Sequence, residues 1–295
     1  MGRSLRLRRV LAFACLASLV FLTPAHAEQT TPLLWLNGDG PRSHDDHQAL
    51  VVTASVAGRP CLMQLDTGLN SAVLWQETVR ADEPQVTVDV EVLGLKISVG
   101  TSSRIAAHLQ HCAPGGSVGS LGNAFFEDGS LTIDLKKMAL RYQAGSVLSG
   151  NPAAEPMFYA RWTEQGGHPL VELRQDGMLV GYGLLDTGSA SFGFAPLSEL
   201  EWNRLTASAP LVQTDHVRKF ATWSWNRQHF CFETKPAVRL QAGRWAMADS
   251  PVDYCPELQF TPAVRLEGVV GLDAFSNAAI TIDYHAGRWL ARPAE

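Results

Sequence analysis

The chain has 295 residues, 24 of them basic and 29 acidic, for a formal charge of −5, and 46% of its residues are hydrophobic. That length and apolar content suit one large or two small globular lobes, and the acidic balance argues against a nucleic-acid-binding surface. No low-complexity tract interrupts the sequence.

The first 27 residues read as a secretory signal. Arg3, Arg6, Arg8 and Arg9 precede an apolar run from Val10 to Leu22, and Ala25-His26-Ala27 supplies small residues for cleavage. The run is about 13 residues, too short to cross a hydrocarbon core of roughly 30 Å, so no stable membrane span is expected. Arg8-Arg9 also fits a twin-arginine route and Cys15 a lipidated cysteine, but Phe13 makes a poor lipobox and the apolar stretch continues past Cys15. Export to a periplasm or beyond the cell is the expectation. Residues 28–46 then read as a flexible lead-in.

Strand signals follow. Leu50-Val51 begins a run that enters a turn at Leu65-Asp66-Thr67-Gly68, and Val86 to Val92 and Leu95 to Val99 alternate apolar and polar around Gly94. Residues 144–158, with Gly145, Gly150, Pro152 and Pro156, read as a linker. Leu170-Val171 to Leu185-Asp186-Thr187-Gly188 then repeats the first strand-to-turn block without a gap. A helix is expected from Pro196 to Leu205, with Ser198 near its start. Phe220 to Phe232 alternates Trp223, Trp225, Phe230 and Phe232 on one face, as a sheet face in the core or as a hairpin that covers substrate.

A second block repeats too: Gly119 to Asp134 aligns on Gly268 to Asp283, pairing Gly122 with Gly271, Phe126 with Phe275 and Thr132-Ile133-Asp134 with Thr281-Ile282-Asp283. The second copy is longer between its blocks, with the insertion somewhere within Phe192 to Glu267. The reading is an all-β chain with few short helices and two similar lobes, 47–143 and 159–295.

The doubled Leu-Asp-Thr-Gly carries chemistry. A strand entering a tight glycine turn holds a carboxylate at its tip, and Thr can hydrogen-bond across to support it. Two such turns related by a pseudo-twofold axis put Asp66 and Asp186 side by side, where repulsion keeps both from ionising and they share a proton. Such a pair activates a water against a carbonyl carbon with no metal or cofactor.

On these residues the halves resemble the lobes of the pepsin and retropepsin clan of aspartic peptidases. The resemblance spans nearly the whole chain after the signal and rests on Asp66-Thr67-Gly68, Asp186-Thr187-Gly188, Gly119-Ser120-Leu121-Gly122 and Gly268-Val269-Val270-Gly271. It implies a two-lobed acid-protease fold with pseudo-twofold symmetry, Asp66 and Asp186 as the catalytic pair, Thr67 and Thr187 interlocked, and Gly122 and Gly271 in ψ-shaped loops beneath the turns. The short lobes and the Thr-Ile-Asp endings are most similar to bacterial retropepsin-like proteins, here fused in tandem, which implies a monomer acting on an extended polypeptide.

Departures are visible. Leu69 follows the first turn where Ser189 follows the second, so the two acids are expected in unequal surroundings. Ser120 replaces an apolar residue, no tyrosine lies between Asp66 and Gly119 to serve as a flap tyrosine, and Trp75 matches a family tryptophan only loosely. A flap is sought around Leu93-Gly94-Leu95 or in Phe220 to Phe232.

Four cysteines remain after the signal: Cys61, Cys112, Cys231 and Cys255. Of three possible pairings, Cys61–Cys112 with Cys231–Cys255 is favoured because each bridge staples one half, against four buried free thiols. Gly115-Gly116-Ser117-Val118-Gly119 matches a nucleophile elbow but lacks the strand before and helix after. His108, His111 and Cys112, and His44 and His47 around Asp45-Asp46, make no complete metal site. The rival to a peptidase is a noncatalytic peptide-binding or regulatory module that keeps the fold.

Overall fold

A computed structural model describes residues 28–37, 47–112, 116–224, 227–247, 250–258 and 264–295. The first lobe contains β1 (Gln29–Asn37), β2 (His47–Val56), β3 (Arg59–Leu65), β4 (Val73–Trp75), β5 (Gln85–Val92), β6 (Leu95–Ser102), α1 (Ser103–His108), β7 (Ser117–Leu121), β8 (Gly129–Asp134) and β9 (Ala139–Ala144). The second contains β10 (Glu155–Thr163), β11 (Gly166–Gln175), β12 (Met178–Leu185), β13 (Phe194–Pro196) and α2 (Glu199–Leu205), then β14 (Arg218–Ser224), β15 (Arg227–Thr234), β16 (Leu240–Ala242) and β17 (Trp245–Ala246). It closes with β18 (Val252–Tyr254), β19 (Gly268–Val270), β20 (Ala278–Asp283) and β21 (Arg288–Pro293). The molecule is all-β and two-lobed, with few short helices, as its alternating patterns imply.

The lobes repeat one strand plan. In the first, β2 and β3 form a hairpin, and β7 lies parallel to β3 and antiparallel to β4. In the second, β11 and β12 form the hairpin, and β19 lies parallel to β12 and antiparallel to β13. A six-stranded antiparallel sheet joins the lobes in the order β1, β9, β8, β20, β21, β10. Its centre is the repeat's own axis: Thr132 stands opposite Thr281, their hydroxyls 2.9 Å apart.

The Thr-Ile-Asp endings have a structural role. The buried Asp283 carboxylate accepts from Val147 N (2.9 Å), Leu148 N (2.7 Å), the Ser146 hydroxyl (2.6 Å) and Ala286 N (2.8 Å), tying the interlobe connection to β20. Asp134 accepts from Lys137 N at 2.9 Å and closes the equivalent turn. Apolar residues fill both lobes, and fully buried Trp202 and Trp289 both lie in the second. Trp202 lies on α2, which Ser198 caps by accepting from Glu201 N at 3.2 Å, three residues short of the expected start at Pro196.

The structure corrects several boundaries. The flexible lead-in does not extend over 29–37, because β1 pairs with both β2 and β9, while 38–46 lies outside the described residues. The linker is shorter than 144–158, since β10 begins at Glu155 by pairing with β21. The signal segment 1–27 also lies outside the described residues. Among the described residues no helix is long and apolar enough to cross a membrane.

The insertion is now located. In each lobe a strand pairs with the far end of the long first strand: Glu91 of β5 opposite Ser55, and Leu240 of β16 opposite Gln175. Each then turns through two residues into β6 or β17. Ahead of β5 the first lobe has only residues 76–84, whereas ahead of β16 the second lobe has α2 and the β14–β15 hairpin.

Replacing Asp283 by Ala is expected to orphan buried donors and destabilise the protein by about 3 kcal/mol, with Asp283→Asn costing less because it keeps an acceptor. Urea unfolding of the two variants measures the difference.

Candidate active site

Each strand that ends in Leu-Asp-Thr-Gly is held at its last residue by the strand running parallel to it. Asp66 N donates to Leu121 O at 3.0 Å and Asp186 N to Val270 O at 2.9 Å. The turns close through Leu69 N to Asp66 O (3.2 Å) and Ser189 N to Asp186 O (3.3 Å). The chain then threads back beneath them: Gly122 N donates to Ala72 O and Gly271 N to Gly193 O, both at 3.0 Å. A Cβ on Gly122 would strike the carbonyl oxygens of Ser71 and Leu69, and one on Gly271 those of Phe192 and Ser189. The doubled glycine is therefore a packing requirement of the ψ-shaped loop.

The two turns interlock. The Thr67 hydroxyl donates to Leu185 O (2.7 Å) and accepts from Thr187 N (3.0 Å). The Thr187 hydroxyl donates to Leu65 O (2.9 Å) and accepts from Thr67 N (3.0 Å). Both threonines are buried, so these four bonds use the O–H and an acceptor site of each hydroxyl with no water nearby to replace them.

This brings the Asp66 and Asp186 carboxyls together where the two turns meet. A Cβ placed on Gly188 would lie 2.5 Å from Asp66 Oδ1 and 3.0 Å from Asp186 Oδ1, so both carboxyls crowd one glycine. Their surroundings differ as Leu69 and Ser189 imply. Asp186 Oδ1 accepts from Gly68 N (3.1 Å) and Gly188 N (2.8 Å), and its Oδ2 accepts from the Ser189 hydroxyl at 2.7 Å. Asp66 has no hydroxyl partner at the matching position. Burial first, then the neighbouring Asp186 charge and the hydrogen bond to it, push the Asp66 carboxyl well above its ordinary value, against a smaller pull from the backbone N–H groups of Gly68 and Leu69.

Sequence reading missed several residues at this site. Asn123 is fully buried and donates to Thr67 O (2.7 Å) and Leu69 O (2.9 Å), while its own oxygen accepts from the Tyr284 hydroxyl at 2.8 Å. Gln64 donates to Gly188 O at 3.2 Å, and His168 Nε2 lies 3.0 Å from Gly68 O. A signal existed: Asn123, Tyr284 and Gln64 stand where the other copy has Leu272, Leu135 and Leu184. A polar residue at a core position of its repeat partner marks a place where the lobes do different work.

Other candidates separate from the dyad. Cys61 and Cys112 lie at disulfide distance with Cα atoms 5.4 Å apart, and Cys231 and Cys255 with Cα atoms 4.2 Å apart, in the favoured pairing. That occupies Cys112, while His108 Nδ1 lies 2.6 Å from Glu77 Oε1. Of the other histidine cluster only His47 is described, stacked on Trp35 with ring centroids 4.1 Å apart. Ser117 opens β7, and its hydroxyl donates to Gly119 O, so it stands on a strand with none of an elbow's exposure at a strand-to-helix turn.

Of the two hairpins sought as a flap, the Leu93-Gly94 tip belongs to the wrong end of the lobe. Leu93 is buried, and the neighbouring β5 residues pair with Ser55 and Val56, at the opposite end of the β2–β3 hairpin from Asp66. The β14–β15 hairpin is better placed, because Phe220 packs against Phe192, close after Ser189, with ring centroids 6.3 Å apart. On its other face Lys219 lies over Phe230, which is 46% exposed, and over buried Phe232. Trp225 and the side chain of Trp223 lie outside the described residues.

This topology, with an Asp-Thr-Gly turn and a ψ-shaped loop in each lobe, is the two-lobed acid-protease fold that the repeat implies. No protein-family model matches the sequence, and no curated protein matches it. Among solved structures the chain is similar to an aspartic proteinase from Irpex lacteus, at 13% identity and a TM-score of 0.46 over 91% of this chain and 98% of that one. It is also similar to basic 7S globulin from soybean, at 10% identity and a TM-score of 0.43 over 91% of this chain and 95% of that one. Likeness this distant says nothing of activity.

Two outcomes test the site. Thr67→Val is expected to cost about 2–3 kcal/mol, because it strands a buried carbonyl and a buried N–H. Asp66 also ties stability to pH: its folded value is raised, so its contribution is complete below the ordinary value of 3.8 and is lost as pH rises through the folded value. Thermal unfolding across pH should therefore show that loss in the wild-type protein and not in Asp66→Asn.

Proposed function

We propose that the protein is an exported, monomeric aspartic endopeptidase that hydrolyses peptide bonds of an extended polypeptide lying between its lobes. The observation that carries the reading is the crowding of two carboxyls, one from each lobe, against the same turn glycine, Gly188. In this reading Asp186 takes a proton from a water as that water's oxygen attacks the scissile carbonyl carbon, and Asp66 gives its proton to the carbonyl oxygen. The tetrahedral diol collapses as Asp186 returns a proton to the amide nitrogen and a diol hydroxyl gives its proton to Asp66, which breaks the C–N bond and restores the pair. Thr67, Gly68, Thr187, Gly188 and Ser189 hold the carboxyls for these steps. Support for export comes from the signal-like first 27 residues and from two cysteine pairs at disulfide distance. The short lobes and Thr-Ile-Asp endings support a kinship with bacterial retropepsin-like proteins, fused so that one chain supplies both acids.

A second reading, a noncatalytic module that binds peptides, is favoured by the first lobe itself. It has no hairpin ahead of β5 to cover the cleft, and Leu69 leaves Asp66 without a hydroxyl.

Cleavage of a denatured protein substrate discriminates between them. Asp66→Asn and Asp186→Asn should each lower turnover by at least about 10²–10⁴-fold with folding intact. Wild-type activity should fall on the alkaline side as Asp66 loses its proton. Full activity in either variant, or a rate rising steadily into alkali, removes the dyad from the chemistry.

A further inference from the structure

Two polar side chains cross the interface between the lobes to reach the catalytic-turn glycines. Gln64, two residues ahead of Asp66 on β3, donates Nε2–H to Gly188 O of the second lobe at 3.2 Å. His168, on β11 of the second lobe, places Nε2 3.0 Å from Gly68 O of the first. A carbonyl oxygen carries no proton, so that imidazole nitrogen must be the donor. Burial lowers the histidine's pKa and favours the neutral ring, with its proton on Nε2.

These bonds complete a constraint on residues that are otherwise the freest in the chain. Gly68 N and Gly188 N both donate to Asp186 Oδ1. With the N–H of each glycine committed to the dyad and its C=O committed to the opposite lobe, the peptide planes on both sides of its Cα are fixed. Glycine loses more freedom on ordering than any other residue, so pinning both planes is what keeps the turn in one geometry. The second lobe braces the first-lobe turn further. Asn70 Nδ2 donates to Thr163 Oγ1 at 2.8 Å, and Gly166, the first residue of β11, comes so close that a Cβ there would meet the Asn70 carbonyl and, at 2.9 Å, Ala124. The crossing is not inherited from the repeat, because Gln64 stands where the second copy has Leu184, and His168 where the first has Gln48.

We propose that Gln64 and His168 are positioning residues: each lobe clamps the catalytic glycine of the other, so that the geometry of the carboxyl pair depends on how the lobes sit together. The inference rests on the peptidase reading, and its test has one arm that needs no turnover.

Gln64→Leu and His168→Phe remove the donors at similar size, while His168→Gln restores a donor that does not titrate. On a peptide substrate, kcat should drop about 10–100-fold in the first two with KM within about threefold, since small misplacements at a reacting centre cost that much, and His168→Gln should recover most of it. In thermal unfolding across pH, loosening the turn should admit water to Asp66 and bring its folded value down, so the loss of stability above the ordinary carboxylate range should be smaller and complete at a lower pH in Gln64→Leu and His168→Phe than in the wild type or His168→Gln. Unchanged kcat together with an unchanged pH dependence of stability overturns the proposal. So does a rise in kcat/KM on removing the donors, because the side chains would then be occupying acceptors that substrate needs. If the wild type cleaves nothing while Asp66 still titrates high, the functional reading fails, and the shift in the unfolding profile alone decides the role of the clamps.

Discussion

Everything at the centre of this molecule depends on four hydrogen bonds between Thr67 and Thr187 and the backbone of the opposite turn. Each hydroxyl donates to the leucine carbonyl at the end of the other lobe's strand and accepts the other threonine's N–H. Because the same two atoms do both jobs, neither turn can shift without stranding buried groups in its partner. Two carboxyls that would repel each other are thereby held within hydrogen-bonding reach, and the cost of crowding them is borne by an interface made of backbone.

The duplicated plan then becomes unequal where chemistry needs it to be. Ser189 and the two glycine N–H groups converge on Asp186, whereas Leu69 leaves Asp66 facing burial and its neighbour's charge. Symmetry brings the acids together, and side-chain differences give them unequal surroundings. The same division recurs in the scaffold. Asn123 and Tyr284 strap the first turn, and among the described residues the β14–β15 hairpin has no counterpart in the first lobe.

Much of this was legible in the sequence because a repeat is its own alignment. The doubled Asp-Thr-Gly and the glycines at 122 and 271 marked the turns and the threaded loops, while the Thr-Ile-Asp endings marked a repeat whose place in the interlobe sheet only the strand pairing shows. What escaped was whatever broke the symmetry. Gln64 and His168 carry no motif, and their roles depend on which lobe lies across from them, a relation that strand periodicity cannot express. The Gln29–Asn37 strand escaped for a related reason: its partners β2 and β9 are far along the chain, and its sequence holds Pro32 and few alternating residues. The Leu93-Gly94 hairpin was legible as a hairpin, but whether it or the Phe220 to Phe232 stretch lies near the dyad was not, since a local turn signal does not say which end of a lobe it decorates.

The central claim is that one buried proton is shared between Asp66 and Asp186. A carbon-13 NMR titration of aspartate carboxyls, comparing the wild type with Asp186→Asn, reads it most directly. The account predicts one carboxyl in the wild type that stays protonated well above the ordinary aspartate range and whose titration moves downward when the Asp186 charge is removed. If every aspartate of the folded protein titrates in the ordinary range, or if the high carboxyl is indifferent to Asp186, the two acids do not form a pair.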